Sequence, residues 1–250
     1  MSQALKQTIL PGSQQEASLL AQGIAKSFQT GKTRSQVIKD LNLALTPGEL
    51  TLIVGPSGCG KSTLLALLSG LLRPEQGRVL ALGHELTTME DRALEKFRLH
   101  YCGFIFQGFN LFSSLTALEQ VILVLKYLDL KPEEAKEAAR RALEMVGLGP
   151  KAGLFPLELS SGEKQRVAIA RAIVKKPRLV FADEPTSALD GDNGQMVIRL
   201  LKGFAHSEGA SVLCVTHDHR LYSHADRIIS LEDGIIIQDQ RQTNQPENEV

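Results

Sequence analysis

Asn42-Leu43-Ala44-Leu45 alternates polar and apolar side chains, as a strand with one buried face does. The same pattern predicts strands over residues 19–28 and 37–45, parted by a polar, glycine-containing turn at 30–34. Pro47-Gly48 marks a turn, and residues 50–54 are a continuous apolar run of strand length. Residues 61–72 continue as a Leu-rich helix, followed by a turn at 74–77 and a strand at 78–82. Residues 115–128 are mostly apolar, and Pro132-Glu133-Glu134 opens a helix with proline and acids in its first turn. Ala135, Ala138, Ala139, Ala142, Leu143 and Val146 line one face of it, and Gly147 ends it. Strand signals resume at 179–182, 211–216 and 228–231. The prediction is one α/β domain over residues 17–237, interrupted by a helical segment at roughly 108–160. The flanks 1–16 and 238–250 are polar and aperiodic, and are expected to be disordered.

Composition narrows the setting. At 250 residues the chain is long enough for one well-buried core with a small inserted subdomain. Lys+Arg and Asp+Glu both number 28, a balance unsuited to non-specific adhesion to nucleic acid or anionic lipid. Cys59, Cys102 and Cys214 are odd in number and widely spaced, which argues for a reducing compartment rather than a disulfide framework. No apolar run reaches the ~18 residues that a membrane span requires, and the first residues lack an export signal. A cytoplasmic location is expected, with any membrane action exerted through a partner.

The chemistry concentrates in Gly55-Pro56-Ser57-Gly58-Cys59-Gly60-Lys61-Ser62-Thr63, which has the form GxxxxGK[ST] between a strand and a helix. Glycines at 55, 58 and 60 let the backbone curl so that its N–H groups face an anion at a helix N-terminus. Lys61 would reach the β- and γ-phosphates of a nucleotide, Ser62 would ligate Mg²⁺, and Thr63 would sit near the α-phosphate. Asp183 and Glu184 end an apolar strand, where ligands bind in α/β sheets. Asp183 is expected beside Mg²⁺, and Glu184 is the better candidate to polarise the attacking water. One phosphate loop and no internal repeat mean one nucleotide site per chain. Ser160-Ser161-Gly162-Glu163 forms a capping box before an apolar helical run, and a capped helix also presents a positive dipole end.

Leu159-Ser160-Ser161-Gly162-Glu163-Lys164-Gln165-Arg166, placed between the phosphate loop and Asp183-Glu184, resembles the signature of ABC-type ATPases. The resemblance runs from about residue 19 to 237. It implies a P-loop NTPase core with an N-terminal antiparallel β-subdomain and an inserted α-helical subdomain. It also implies a head-to-tail homodimer in which Ser160 and Gly162 contact ATP held by the opposite copy. Ser161 stands where the family usually has its first signature glycine, and Glu163 where glutamine is usual, so reduced but real activity is expected.

Other positions match the family's motifs in order. Phe28 matches the aromatic that stacks on adenine, although a core aromatic is the alternative. Gln107 matches the glutamine that senses Mg²⁺, Asp190 the loop crossing the dimer interface, and His217 the switch histidine at the γ-phosphate. His217 with His219, His224 and Asp226 matches no common zinc spacing.

Phe104-Ile105-Phe106-Gln107 and residues 115–119 and 166–172 look like the branch serving lipoprotein release, macrolide export and septum function. Residues 216–220 and 225–234 look like its DevA-type exporters. The resemblance therefore implies an exporter ATPase on the inner face of the plasma membrane. Its partner would be an integral membrane permease, with a periplasmic membrane-fusion adaptor in some of the branch. A signalling module without transport would use the same motor. Non-transport relatives usually carry a long coiled-coil insert or two nucleotide domains, and a simple kinase an arginine-rich lid; none of the three is evident.

Overall fold

A computed structural model of the chain describes residues 17–31 and 33–242. In chain order it comprises β1 (Leu19–Thr30), β2 (Thr33–Leu45), β3 (Leu50–Val54), α1 (Lys61–Leu68), β4 (Gln76–Ala81) and β5 (His84–Glu85). There follow α2 (Asp91–Tyr101), β6 (Cys102–Ile105), α3 (Ala117–Leu125), α4 (Pro132–Met145) and α5 (Ser161–Ile173). The chain then forms β7 (Leu179–Asp183), α6 (Gly191–Glu208), β8 (Ser211–Val215), β9 (Arg227–Glu232) and β10 (Ile235–Arg241). Short 3₁₀ turns at Gly149–Lys151 and Pro156–Glu158 link α4 to α5.

Two sheets organise these elements. One is antiparallel, in the order β2-β1-β4-β5; the other runs β10-β9-β3-β8-β7-β6, parallel except for β10. Period-two alternation sends neighbouring side chains of the parallel strands into two different cores. Ile53, Phe181, Leu213 and Val215 join Leu64 and Leu68 of α1, Phe97 of α2 and the antiparallel sheet. Leu52, Val180, Ala182 and Cys214 join Ile169 of α5 and Leu201 of α6, with Val121 of α3 and Leu143 of α4 beyond. Thus α1 and α5 lie on opposite faces of the parallel sheet.

Several boundaries differ from the sequence reading, for physical reasons. The β1–β2 hairpin is longer, since polar cross-strand pairs such as Ser27–Gln36 and Gln29–Arg34 extend the ladder beyond the apolar positions. Helix α1 stops at Leu68 rather than 72, where Gly70 takes a left-handed conformation (φ 68°). The disorder expected from residue 238 is corrected over its first residues: β10 runs to Arg241, held by ion pairs rather than apolar burial. Arg227 (side chain 2% exposed) gives Nε and Nη2 to both oxygens of Asp239 at 2.7 and 2.6 Å, and Nη1 to the Ala44 carbonyl at 2.7 Å. Arg241 reaches Thr46 and Glu49. Residues 1–16 and 243–250, also expected to be disordered, lie outside the described residues.

Removing the Arg227 charge leaves Asp239 and the partly buried Ala44 carbonyl without this donor. Arg227→Met is therefore expected to destabilise the fold by roughly 2–4 kcal/mol, measured by urea unfolding.

Candidate functional site

The phosphate loop is built where β3 meets α1. Gly55 approaches β9 so closely that a Cβ there would stand 2.0 Å from the Leu231 carbonyl oxygen. Gly60 has φ 105°, and a Cβ would meet the Val37 carbonyl at 2.9 Å. Both positions need glycine on steric grounds. Gly60 also caps α1 without a side chain, so the first-turn N–H groups have no side-chain cap. Lys61, itself buried, folds back and donates from Nζ to the Gly55 and Pro56 carbonyls, both at 2.9 Å. Cys59 is buried within the loop, Ser57 and Gly58 are exposed, and Thr63 is half-buried.

The carboxylates arrive from the neighbouring strands. Ser62 Oγ donates to Asp183 Oδ1 at 3.0 Å, joining the start of α1 to the end of β7. Burial pushes the Asp183 carboxyl above its usual range, and the Ser62 hydrogen bond opposes that rise. A half-buried carboxylate beside a hydroxyl suits a hard, oxygen-seeking cation. Among the described residues no three His, Cys, Asp or Glu side chains are arranged to hold a metal ion by themselves. The donor set is thus lean in protein ligands, which fits Mg²⁺, an ion that keeps waters and phosphate oxygens.

Glu184 follows with φ 48°, a left-handed conformation unusual outside glycine. Its N–H still pairs with the Val215 carbonyl of β8 at 2.9 Å. Its carboxylate meets His217 Nδ1 at 2.9 Å, with the Glu184 side chain 14% exposed and the imidazole 64% exposed. Gln107 is exposed, two residues beyond β6, whose Ile105 pairs with Ala182 of β7. Phe28 is exposed on β1 opposite Ser35, with the Lys26 ammonium 5.9 Å from its ring centroid. It lies on the same hairpin as Val37, which abuts Gly60.

The remaining expected residues stand elsewhere. Ser160 caps α5, accepting from the Glu163 N–H at 3.3 Å, while Glu163 accepts from the Ser160 N–H at 3.0 Å. The second oxygen of Glu163 pairs with Lys151 Nζ, and this lysine is the main cause that holds its carboxyl below the usual range. Ser161 is the exposed first residue of α5, and a Cβ on Gly162 would stand 2.9 Å from Asn193 Oδ1. Asp190 caps α6, accepting from the Asn193 N–H and side-chain amide at 3.0 Å, and Asn193 Oδ1 accepts from Arg166.

Two sets therefore emerge. The phosphate loop, Asp183, Glu184 and His217 converge, and Ser160–Glu163 with Asp190 form a second cluster based on the opposite face of the sheet. Sequence reasoning missed Lys151, Asn193 and Arg171. Arg171 donates to the Phe109 and Asn110 carbonyls and so holds the segment after Gln107 against α5. No local pattern marks Lys151 or Arg171, because their partners are 12 residues away or are backbone atoms, whereas Asn193 pairs with Asp190 three residues earlier and could have been read from that spacing.

The family model described as "ABC transporter" matches residues 38–187. HrtA of Staphylococcus haemolyticus, an ATP-binding protein named for hemin import, is 42% identical over 85% of this chain and 96% of its own length. MacB of a Shewanella species, a macrolide export ATP-binding/permease protein, is 40% identical over 93% of this chain, which spans only 36% of MacB. Among solved structures, the ATP-binding cassette MJ0796, a dimer in a post-hydrolysis state with ADP and Pi, superposes with a TM-score of 0.84. The two are 36% identical, over 91% of this chain and all of the other.

Proposed function

The chain belongs to the ABC transporter family of ATP-binding domains and is an ATPase, and from that premise we propose that it drives a separate membrane permease as the motor of an exporter. The observation that carries the reading is the division of the site between two faces of one sheet. A phosphate loop on one side and a capped helix end on the other form one complete site only when two copies meet head to tail. The similarity to a dimeric cassette with ADP and Pi supports that arrangement.

In this reading the N–H groups of residues 55–63 and Lys61 hold the phosphates of ATP, and Phe28 stacks on adenine. Ser62, Asp183 and Gln107 would hold Mg²⁺, which when bound neutralises charge on the transferring phosphoryl group. Glu184 orients and polarises the attacking water, and its left-handed backbone and His217 partner fix its carboxylate. His217 places its other ring nitrogen toward the γ-phosphate. Ser160, Ser161, Gly162 and Glu163 of the opposite copy close over that phosphate with the N-terminus of α5, and Asp190 lines the junction. ATP favours the closed dimer, hydrolysis releases it, and that difference in affinity supplies the work.

The permease is proposed from the likeness to the ATP-binding part of MacB. Among the described residues no helix is long and apolar enough to cross a membrane. The chain would then lie on the cytoplasmic side, bound through the permease, with a periplasmic adaptor in the fuller assembly. The segment after Gln107, held by Arg171 and by Gln120, offers a firm surface for transmitting motion.

Capture of the Glu184→Gln chain from its native membranes with ATP and Mg²⁺ tests this. An integral membrane protein with a large extracytoplasmic domain is expected, whereas only soluble components would sink the proposal. The name of HrtA points inward and that of MacB outward, so ATP-dependent accumulation in inside-out vesicles decides direction. A partner without any substrate movement would favour signalling. Ser161 sits at an exposed first-turn position that serine fills easily. Ser161→Gly is expected to raise kcat only about two- to threefold, well under 1 kcal/mol of barrier, by steady-state phosphate release. An unchanged rate would mean the serine is neutral.

A further inference from the structure

Glu163 occupies a difficult place for the role just proposed. A carboxylate in the first turn favours the free helix because it complements the positive end of the dipole. The same charge repels a γ-phosphate arriving at that end. Glu163 has no freedom to swing away, because one oxygen is committed to the Ser160 N–H at 3.0 Å as half of the capping box.

Lys151 answers this conflict. It ends the 3₁₀ turn Gly149–Lys151, and its ammonium takes the other oxygen of Glu163. The turn is fastened to the end of α4: the Leu148 N–H donates to the Leu143 carbonyl at 2.8 Å, and the Lys151 N–H to the Leu148 carbonyl at 3.0 Å. Leu148 and Leu143 are fully buried, so the lysine backbone has little play. Within the pair the Glu163 side chain is 15% exposed and the Lys151 side chain 45%. The cation is therefore the more exposed member of the pair.

We propose that Lys151 is a positioning residue for the nucleotide-bound dimer: it neutralises Glu163 while leaving the capping box intact, so that the N-terminus of α5 accepts the γ-phosphate held by the opposite copy. The inference rests on the dimer reading above. It gives the end of α4 a direct hand in that contact, since any shift of the turn withdraws the compensating charge.

The test follows dimer formation by light scattering while ATP and Mg²⁺ are titrated into the full chain carrying Glu184→Gln. Adding Lys151→Met is expected to raise the ATP midpoint about tenfold, equivalent to about 1.4 kcal/mol. Lys151→Arg restores it, and the thermal midpoint of the nucleotide-free chain stays within a few degrees of the parent.

The deciding comparison uses Glu163→Gln, whose amide oxygen still accepts from Ser160 but carries no charge. In that background Lys151→Met should shift the midpoint less than about twofold, because the two residues act as one coupled unit. A midpoint that Lys151→Met leaves unchanged overturns the proposal. So does a tenfold shift that persists with Glu163→Gln, which would put Lys151 on the phosphate itself. A large fall in the thermal midpoint would assign the lysine to folding instead. If the Glu184→Gln parent forms no ATP-dependent dimer, the dimer reading fails first, and that result is visible before Lys151 is altered.

Discussion

Glu184→Gln is expected to lower ATP turnover by about two to three orders of magnitude while leaving nucleotide binding and dimer closure intact. The substitution keeps the shape of the side chain and an oxygen that can meet His217 Nδ1, now 2.9 Å from the carboxylate. It leaves the left-handed backbone and the N–H bond to Val215 untouched. What it removes is a negative charge able to attract a proton from water in the transition state. That loss acts on the barrier far more than on the ground state, so kcat falls and affinity does not. Affinity should even rise slightly, since one negative charge near the triphosphate is gone. Phosphate release reads the first effect, and ATP-dependent dimer formation on a sizing column reads the second. Hydrolysis at the wild-type rate would remove Glu184 from the chemistry.

Lys61→Ala should fail one step earlier. The Lys61 ammonium is buried and held between the Gly55 and Pro56 carbonyls, so it is fixed before any nucleotide arrives. Its loss takes away the cation proposed for the β- and γ-phosphates and leaves two loop carbonyls without their donor. ATP affinity is expected to fall at least about 100-fold, the equivalent of roughly 2.7 kcal/mol, by isothermal titration. Dimer formation should vanish with it, and the double variant Lys61→Ala/Glu184→Gln should behave like Lys61→Ala alone. A double variant that still dimerises with ATP would mean that closure does not need the lysine.

The central elements were legible because their determinants are local. Residues 50–54 are an apolar run leading into the phosphate loop and 179–183 one ending in Asp183, and Pro132 with the alanine stripe defines α4. The box at Ser160 and Glu163 needs only four residues to declare itself. Other elements depend on distant partners. Helix α2 buries only Leu94 and Phe97, too sparse a pattern to announce a helix. The second half of strand β10, residues 238–241, is polar and exposed, and exists through pairing with β9 and the Arg227–Asp239 contact. At the site, the phosphate loop could be read from its own residues. The Glu184–His217 contact joins positions 33 residues apart, and the Lys151–Glu163 pair joins two helical regions. Charge pairing of that kind leaves no periodic trace.

The placement of α1 and α5 on opposite faces of the sheet has a consequence for inheritance. In the proposed head-to-tail dimer each copy offers one half of two different sites, so damage to the phosphate loop and damage to the α5 cap are not equivalent lesions. Two alleles, one broken in each half, would rebuild one whole site in every mixed pair, together with one site broken on both sides. A cell carrying both could keep a working motor that neither allele supplies alone.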